Sequence, residues 1–304
     1  VRILLTGASG FTGRHLHEAL RDRYTIVAPS HAELDVTDAA QVDAAFANGR
    51  FDAVIHAAVQ GGPTVMATTL RGYWNIARNA HRVSRVLYFG SGAEYGKHRD
   101  LVKIREAAIG EEVPHDDYGM AKLVCNTLCR ASDNIVNLRI FGLFGPYEGY
   151  LLKFISNAVA KTLSGIPLTI RQDVVFDYLW IGDLARLMPA FLEGERLFAD
   201  VNVTPTEPVS LRAIAGMVLR AAGGAAGVAI ETPGMNFQYT GDNARLLQLQ
   251  PGFRFTSMEE AIGLLVAYYR KNIESIDVAA LVADDYRRRC QTRVPATTAM
   301  ESSH

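Results

Sequence analysis

The segment YGMAK sets Tyr118 and Lys122 four residues apart, and on a helix residues at that spacing share one face. A tyrosine ordinarily keeps its proton up to a pH near ~10, too high for ready exchange at neutrality. An ammonium held beside a phenol favours the ionised oxygen and brings exchange within reach. Such a pair can hand a proton to a carbonyl oxygen while a hydride arrives at the carbon; in reverse it takes a proton from an alcohol. Ser91 lies at the end of the apolar run RVLYFGSG, and its hydroxyl can hold the substrate oxygen next to Tyr118. The plainer role for a serine there is to satisfy its own backbone at a strand end.

A hydride needs a carrier, and the first residues offer a place for one. VRILLTGASGFTGRHL puts Gly7, Gly10 and Gly13 directly after the first apolar run. Glycine gives up more backbone entropy on folding than any other residue, so three at fixed spacing ask for a reason. They fit a turn that brings the backbone close to a pyrophosphate, at a helix N-terminus whose free N–H groups face the anion. Phe11, Thr12 and Arg14 belong to the same turn. The spacing is GxxGxxG rather than GxGxxG. The second strand runs into Ala28, Pro29, Ser30 and His31, without the acid that bonds the ribose hydroxyls of NAD. Arg14 and Ser30 can instead take a 2′-phosphate, so NADP is expected, with NAD the alternative. The plainer reading of Arg14 is a solvated helix residue.

These side chains need a frame. RILLTG, YTIVAPS, FDAVIHAAV, RVLYFGSG and NIVNLRIFG read as strands, several of them apolar on both faces. Helical patterns alternate with them: GRHLHEALRDR, DAAQVDAAFANG (ending on Gly49 as a cap), TTLRGYWNIARNAHRV and YGMAKLVCNTLCRAS. That alternation predicts an α/β fold with a doubly wound, Rossmann-type parallel sheet over residues 1–145, joined by strand and helix returns from later segments. Residues 146–285 read as a smaller mixed α/β substrate lobe, with Ser210 and Ser257 as helix N-caps. Residues 286–304 lack an apolar period and are expected to form a disordered tail.

Composition narrows the partners. The chain has 304 residues, 49% hydrophobic, with 31 Lys+Arg against 32 Asp+Glu. A net charge of −1 gives no global field for nucleic acid or an anionic membrane. No apolar run approaches the ~20 residues that span a bilayer, and the run from Val1 lacks a leader pattern, so a cytoplasmic location is expected. The three cysteines, Cys125, Cys129 and Cys290, are no disulfide framework and suit a reducing compartment. Cys125 and Cys129 read as small packing residues, and no metal site is expected.

TGASGFTG, LDVTD, IHAA, GSGAEYG, YGMAK and LRIFGLFGP fall in the order and spacing of the extended short-chain dehydrogenase/reductase family, and the chain resembles its nucleotide-sugar epimerases, dehydratases and 4-keto reductases from Val1 to about residue 275. The resemblance implies that Gly7, Gly10 and Gly13 form the dinucleotide turn. It implies that Asp35 and Val36 meet the adenine, and that Ala57 and Ala58 run along the cofactor. Ser91, Tyr118 and Lys122 match the catalytic set, with Lys122 also bonding the nicotinamide ribose. Gly92 and Arg139 match substrate-binding positions. Departures are visible too. Gly142 stands where the family has Asn, Thr69 where the helix beyond Ala58 usually has Asn, and Phe176 where an Arg meets the substrate diphosphate. Arg171 and Arg245 are the candidates to replace that contact. Gly92 and Ala93 occupy the places of the dehydratase Asp-Glu pair, which speaks against 4,6-dehydration.

The resemblance implies an NAD(P)-dependent oxidoreductase that reduces a nucleotide-linked 4-keto-6-deoxyhexose, with Tyr118 as general acid. The alternatives are a nucleotide-sugar 4-epimerase holding NAD tightly and, from another class, a non-enzymatic NADP-binding regulatory protein. Leu123, Val124 and Leu128 give the Tyr118 helix more apolar surface than one sheet-facing stripe needs. Family members pair this helix across a four-helix bundle, so a homodimer is expected.

Overall fold

Ile3 and Leu5 point to one side of the first strand and Leu4 to the other, and all three are buried. A strand apolar on both faces needs a layer on each side, and the chain supplies helices for both. The computed structural model describes residues 1–59, 61–224 and 227–293.

The first half runs β1 (Arg2–Thr6), α1 (Phe11–Leu20), β2 (Thr25–Val27), α2 (Ala39–Gly49), β3 (Ala53–His56), α3 (Val65–Ala77), β4 (Arg85–Ser91), β5 (Leu101–Ile104), α4 (Asp117–Arg130) and β6 (Ile135–Ile140). The second half adds β7 (Gly142–Phe144), α5 (Phe154–Leu163), β8 (Leu168–Asp173), β9 (Val175–Phe176), β10 (Tyr178–Trp180), α6 (Ile181–Glu193) and β11 (Asp200–Asn202). It continues with β12 (Val209–Ser210), α7 (Leu211–Ala222), β13 (Val228–Met235), β14 (Tyr239–Gly241), α8 (Ala244–Leu249), α9 (Met258–Lys271), α10 (Val278–Ala283) and α11 (Asp285–Arg289).

Six strands form one parallel sheet in the order β2-β1-β3-β4-β6-β11. The chain moves from β1 to β2 on one side, then returns to β3 on the other. The switch point between β1 and β3 is where doubly wound sheets take their ligand. Ile3, Leu5, Leu16, Ile55, Leu138 and Leu184 share one core, with α6 packed on α1. Leu4, Val54, Tyr73, Tyr88, Cys125 and Cys129 share the core on the opposite face, under α3 and α4. Both of these cysteines are buried and free, and the Cys129 sulfur lies 3.2 Å from the Tyr73 hydroxyl. Thus α6 and β11, although they follow residue 145, belong to the first sheet.

A second core lies among α5, α7, α9 and β8. Here β8 pairs with β13, and a small mixed sheet runs β12-β9-β14-β5. Ser210 and Ser257 do cap their helices, accepting from the Ala213 and Glu260 N–H groups. Gly49 is the last helical residue of α2 rather than its left-handed cap; Arg50 takes that conformation, with φ 47°. The segment expected to be a loose tail is ordered in its first part. α11 falls within it, the Gln172 side chain bonds the Arg293 backbone on both sides, and the Asn236 amide donates to the Gln291 carbonyl. Residues 294–304 lie outside the described residues.

Candidate active site

Two adjoining cavities open at the carboxyl edge of the main sheet. One, of about 500 Å³, is lined by Gly7, Gly10, Phe11, Thr12, Gly13, Asp35, Val36, Ala57 and Ala58. The other, of about 430 Å³, is lined by Ser91, Tyr118 and Lys122 on one wall and by the second lobe on the other. Phe11, Thr12, His56, Ala57 and Ala58 border both.

The glycine turn has the shape of an anion cradle. Gly7 has φ +74°, and a Cβ on it would come within 2.6 Å of the Ala58 nitrogen. A Cβ on Gly13 would come within 2.2 Å of the Gly7 carbonyl oxygen. Gly10 differs: a Cβ there meets only the Gly7 oxygen, at 3.4 Å, and otherwise faces the cavity. Gly10 is also the N-cap of α1 and brings no side-chain cap, so the first N–H groups of that helix are left for a ligand. The Thr69 hydroxyl, on the cavity wall, is buried and has no partner among the described residues. An uncapped helix start, an open approach and an orphaned hydroxyl suit a dinucleotide.

Arg14 and Ser30 are each engaged by other side chains. Ser30 donates both its N–H and its hydroxyl to Glu33, each at 2.8 Å. These bonds hold the Glu33 carboxyl below the usual carboxylate range. Glu33, which does not line the cavity, thus folds back onto Ser30 beyond β2. Arg14 lies over the Tyr147 ring, 3.8 Å from its centroid, and pairs with Glu18 at 3.4 Å. Arg14 and Ser30 do not line the cavity, since each is already committed to a neighbour. Asp35 lines it and accepts from the Thr37 N–H and hydroxyl, both at 2.8 Å.

Tyr118 is the second residue of α4, and Lys122 follows one turn later. The Lys122 ammonium donates to the Phe89 carbonyl at 2.7 Å, 5.7 Å from the Tyr118 ring centroid and 4.5 Å from that of Tyr88. Ser91 ends β4 in a reciprocal cap: its hydroxyl accepts from the Ala93 N–H at 3.2 Å, and its own N–H donates to Glu94 at 2.9 Å. Asp116 caps α4 by accepting from the Gly119 N–H at 2.9 Å. The serine corner and the tyrosine helix are thus each fixed locally before they meet.

The substrate candidates fare differently. Arg139 is fully buried, not on the cavity. It bonds Glu94 at 2.7 Å, Asp200 at 2.9 Å, and Tyr95 and Asn202 at 3.0 Å each. Burial works against its charge, but Glu94, Tyr95 and Asp200 outweigh it and hold the guanidinium protonated. Arg245 pairs with Asp200 at 2.8 Å and Arg171 with Glu231 at 3.3 Å, both away from the cavity. Gly92 is packed under Phe141 and Tyr239, where a Cβ would come within 2.6 Å of both. Gly142 lines the cavity, yet a Cβ there would come within 2.7 Å of the Asp177 carbonyl oxygen, which excludes the Asn of related sequences.

Several lining residues escaped the sequence reading. His56 is buried, its Nδ1 2.7 Å from the Thr6 hydroxyl, and burial with Lys122 nearby pushes it down to about 3, so it is neutral. An imidazole in an otherwise apolar strand was the available signal. Glu148 is buried on the cavity wall, accepts from Ser156, and is pushed up to about 7 by burial. Lys153, Phe154, Phe176, Tyr178 and Tyr286 complete the second lobe's wall. Phe176 stacks between Tyr178 and Tyr239, with centroids at 4.8 and 4.6 Å.

Known proteins are similar to this chain in sequence and in fold. The chain is 29% identical over 136 residues to UDP-glucose 4-epimerase 4 of Oryza sativa subsp. japonica, a match spanning 39% of this chain and little more than a third, 36%, of that protein. Its fold is similar to a GDP-L-fucose synthetase from Naegleria fowleri bound to NADP, with TM-score 0.80 and 19% identity over 90% of this chain and 95% of that one. It is also similar to the UDP-glucose 4-epimerase of Thermotoga maritima, with TM-score 0.77 and 19% identity over 90% and 100% of the two chains. No helix among the described residues is long and apolar enough to cross a membrane. The model of the NAD dependent epimerase/dehydratase family matches residues 3–203, about two thirds of the sequence, and the chain belongs to that family.

Proposed function

We propose that the protein is an NAD(P)-dependent reductase of a nucleotide-linked 4-keto-6-deoxyhexose. One observation carries this reading: Ser91, Tyr118 and Lys122 line a cavity that borders the glycine cradle through Phe11, Thr12, His56, Ala57 and Ala58. The nicotinamide, when bound, supplies the hydride. Tyr118 gives its proton to the substrate carbonyl oxygen, and the Ser91 hydroxyl donates to the same oxygen and orients it. Lys122, fixed by the Phe89 carbonyl, steadies the negative charge left on the phenolic oxygen. Neutral His56 lets that ammonium stand close by without a second cation.

With Arg139, Arg171 and Arg245 engaged elsewhere, the diphosphate falls to Lys153 and to the start of α5, which has no side-chain cap and borders the cavity. Names of similar proteins support the substrate class: a GDP-L-fucose synthetase and, with TM-score 0.73, a GDP-mannoheptose C4 reductase of Campylobacter jejuni. The rice relative, a UDP-glucose 4-epimerase, supports the second reading, epimerisation with retained NAD. We also propose a cytoplasmic homodimer joined through α3 and α4, where Trp74 and Leu128 are exposed beside each other's helices.

The test is isotopic. Reduced cofactor carrying deuterium at the transferred position is mixed with GDP-, UDP- and dTDP-linked 4-keto-6-deoxyhexoses. A reductase leaves deuterium on the sugar at C4 and releases oxidised cofactor in equal amount. Isomerisation of a nucleotide hexose with no net cofactor oxidation supports the epimerase reading instead. No transfer to any of these sugars and no isomerisation overturns both.

A further inference from the structure

The segment from Gly96 to Asp116 joins the Ser91 corner to the Tyr118 helix, and it gathers three side chains that stand apart in sequence. His98, Glu112 and His115 each offer a ligand atom, and the three atoms lie within 4.8 Å of one another. His98 Nε2 is 3.5 Å from Glu112 Oε1. The two imidazole rings are stacked, with centroids 3.6 Å apart and planes 2° from parallel. The other nitrogen of His98, Nδ1, is buried and has no hydrogen-bond partner among the described residues.

We propose that His98, Glu112 and His115 bind a divalent transition-metal ion of the zinc type. Two imidazoles and a carboxylate form a borderline nitrogen and oxygen set that suits such an ion and disfavours the harder magnesium or calcium. Rings stacked face to face do not converge on one point. Bonds of about 2.1 Å to a shared ion require His115 to turn toward His98. His115 is the exposed member, and its side chain makes no hydrogen bond among the described residues, so the turn breaks no polar contact. His98 and Glu112 already face each other. The site opens to solvent, which leaves water to complete the coordination.

The position gives the ion a structural consequence. Lys97, adjacent to the first ligand, lies 6.0 Å from the Tyr118 ring centroid and 3.6 Å from Asp116. Asp116, adjacent to the last ligand, is the N-cap of the helix that carries Tyr118 and Lys122. An ion held by His98 at one end and by Glu112 and His115 at the other clips the segment closed at the base of that helix. Its ligands are not among the residues lining the cavity, so the clip acts by positioning.

Zinc is titrated into the chelator-stripped full chain in competition with a chromophoric chelator, and cobalt is used as a visible reporter of coordination. One ion per chain is expected, with a dissociation constant on the order of micromolar or tighter, a rise in the melting midpoint, and cobalt bands of nitrogen and oxygen ligation. His98→Ala with His115→Ala abolishes binding while far-ultraviolet circular dichroism and cofactor binding stay as in the parent. Glu112→Gln weakens binding by at least the roughly 10–100-fold that loss of even an outer partner costs. Millimolar affinity, or binding unchanged in either variant, overturns the proposal. None of these readouts depends on the sugar reaction, so the site and the proposed activity fail or stand separately.

Discussion

Arg139 and Glu94 form an ion pair of 2.7 Å in which neither side chain reaches solvent. The same carboxylate accepts the Ser91 N–H, so the pair anchors the serine corner rather than the substrate. Removing one partner of a buried pair leaves the other charge uncompensated. Arg139→Leu is expected to cost about 3–5 kcal/mol of stability, read as a lowered urea midpoint. Glu94 is then free to shift, and turnover per folded molecule falls as well.

Gly10 and Gly13 separate binding from folding. Gly10→Ala leaves the fold within about 1 kcal/mol of the parent, the usual cost of alanine at an N-cap, but puts a methyl group into the nucleotide cavity. Cofactor affinity, measured by fluorescence titration, should fall while the melting midpoint hardly moves. Gly13→Ala drives a Cβ into the Gly7 carbonyl and should lower both.

Glu33 tests the cofactor. Its carboxylate is held at Ser30, just beyond β2, and a negative charge there disfavours a nearby 2′-phosphate. Glu33→Gln should raise the affinity for NADP relative to NAD by about two- to fivefold, as fits one exposed charge. Titration of both cofactors into parent and variant decides it, and an unchanged ratio places the discrimination elsewhere.

Glu148 makes stability depend on pH in an unusual direction. Burial raises its folded value to about 7, above the ordinary carboxyl value of 4.5. The unfolded chain loses this proton first as pH rises, so stability falls between those values and is level above them. The span corresponds to on the order of 3 kcal/mol. Glu148→Gln removes that dependence and should gain on the parent from pH 5 to pH 8 in denaturant unfolding. A gap between the two that stays constant with pH contradicts the assignment.

What could be read in advance was local. Gly7, Gly10 and Gly13 sit in one turn and Tyr118 and Lys122 in one helical turn, so spacing alone conveys their relation. The partners of Arg139, Arg171 and Arg245 come from distant segments, Glu94, Asp200 and Glu231, and no short-range pattern marks a guanidinium as already paired. The Ser30–Glu33 contact is hidden for a related reason: Glu33 returns to Ser30 through a loop. Strands such as β9 and β12, two residues each, are too short to show alternation, so the small sheet they help build leaves no pattern in the sequence. Glu148 carries no sequence signal, because its burial depends on α5 and on the aromatic wall of the second lobe.

The central claim is that Tyr118 supplies the proton during hydride transfer. Single-turnover oxidation of the reduced cofactor by the best keto-sugar substrate, compared between the parent and Tyr118→Phe, tests it most directly. The account predicts a rate loss on the order of 10²-fold or more with cofactor affinity unchanged. A phenylalanine variant that transfers hydride as fast as the parent contradicts it.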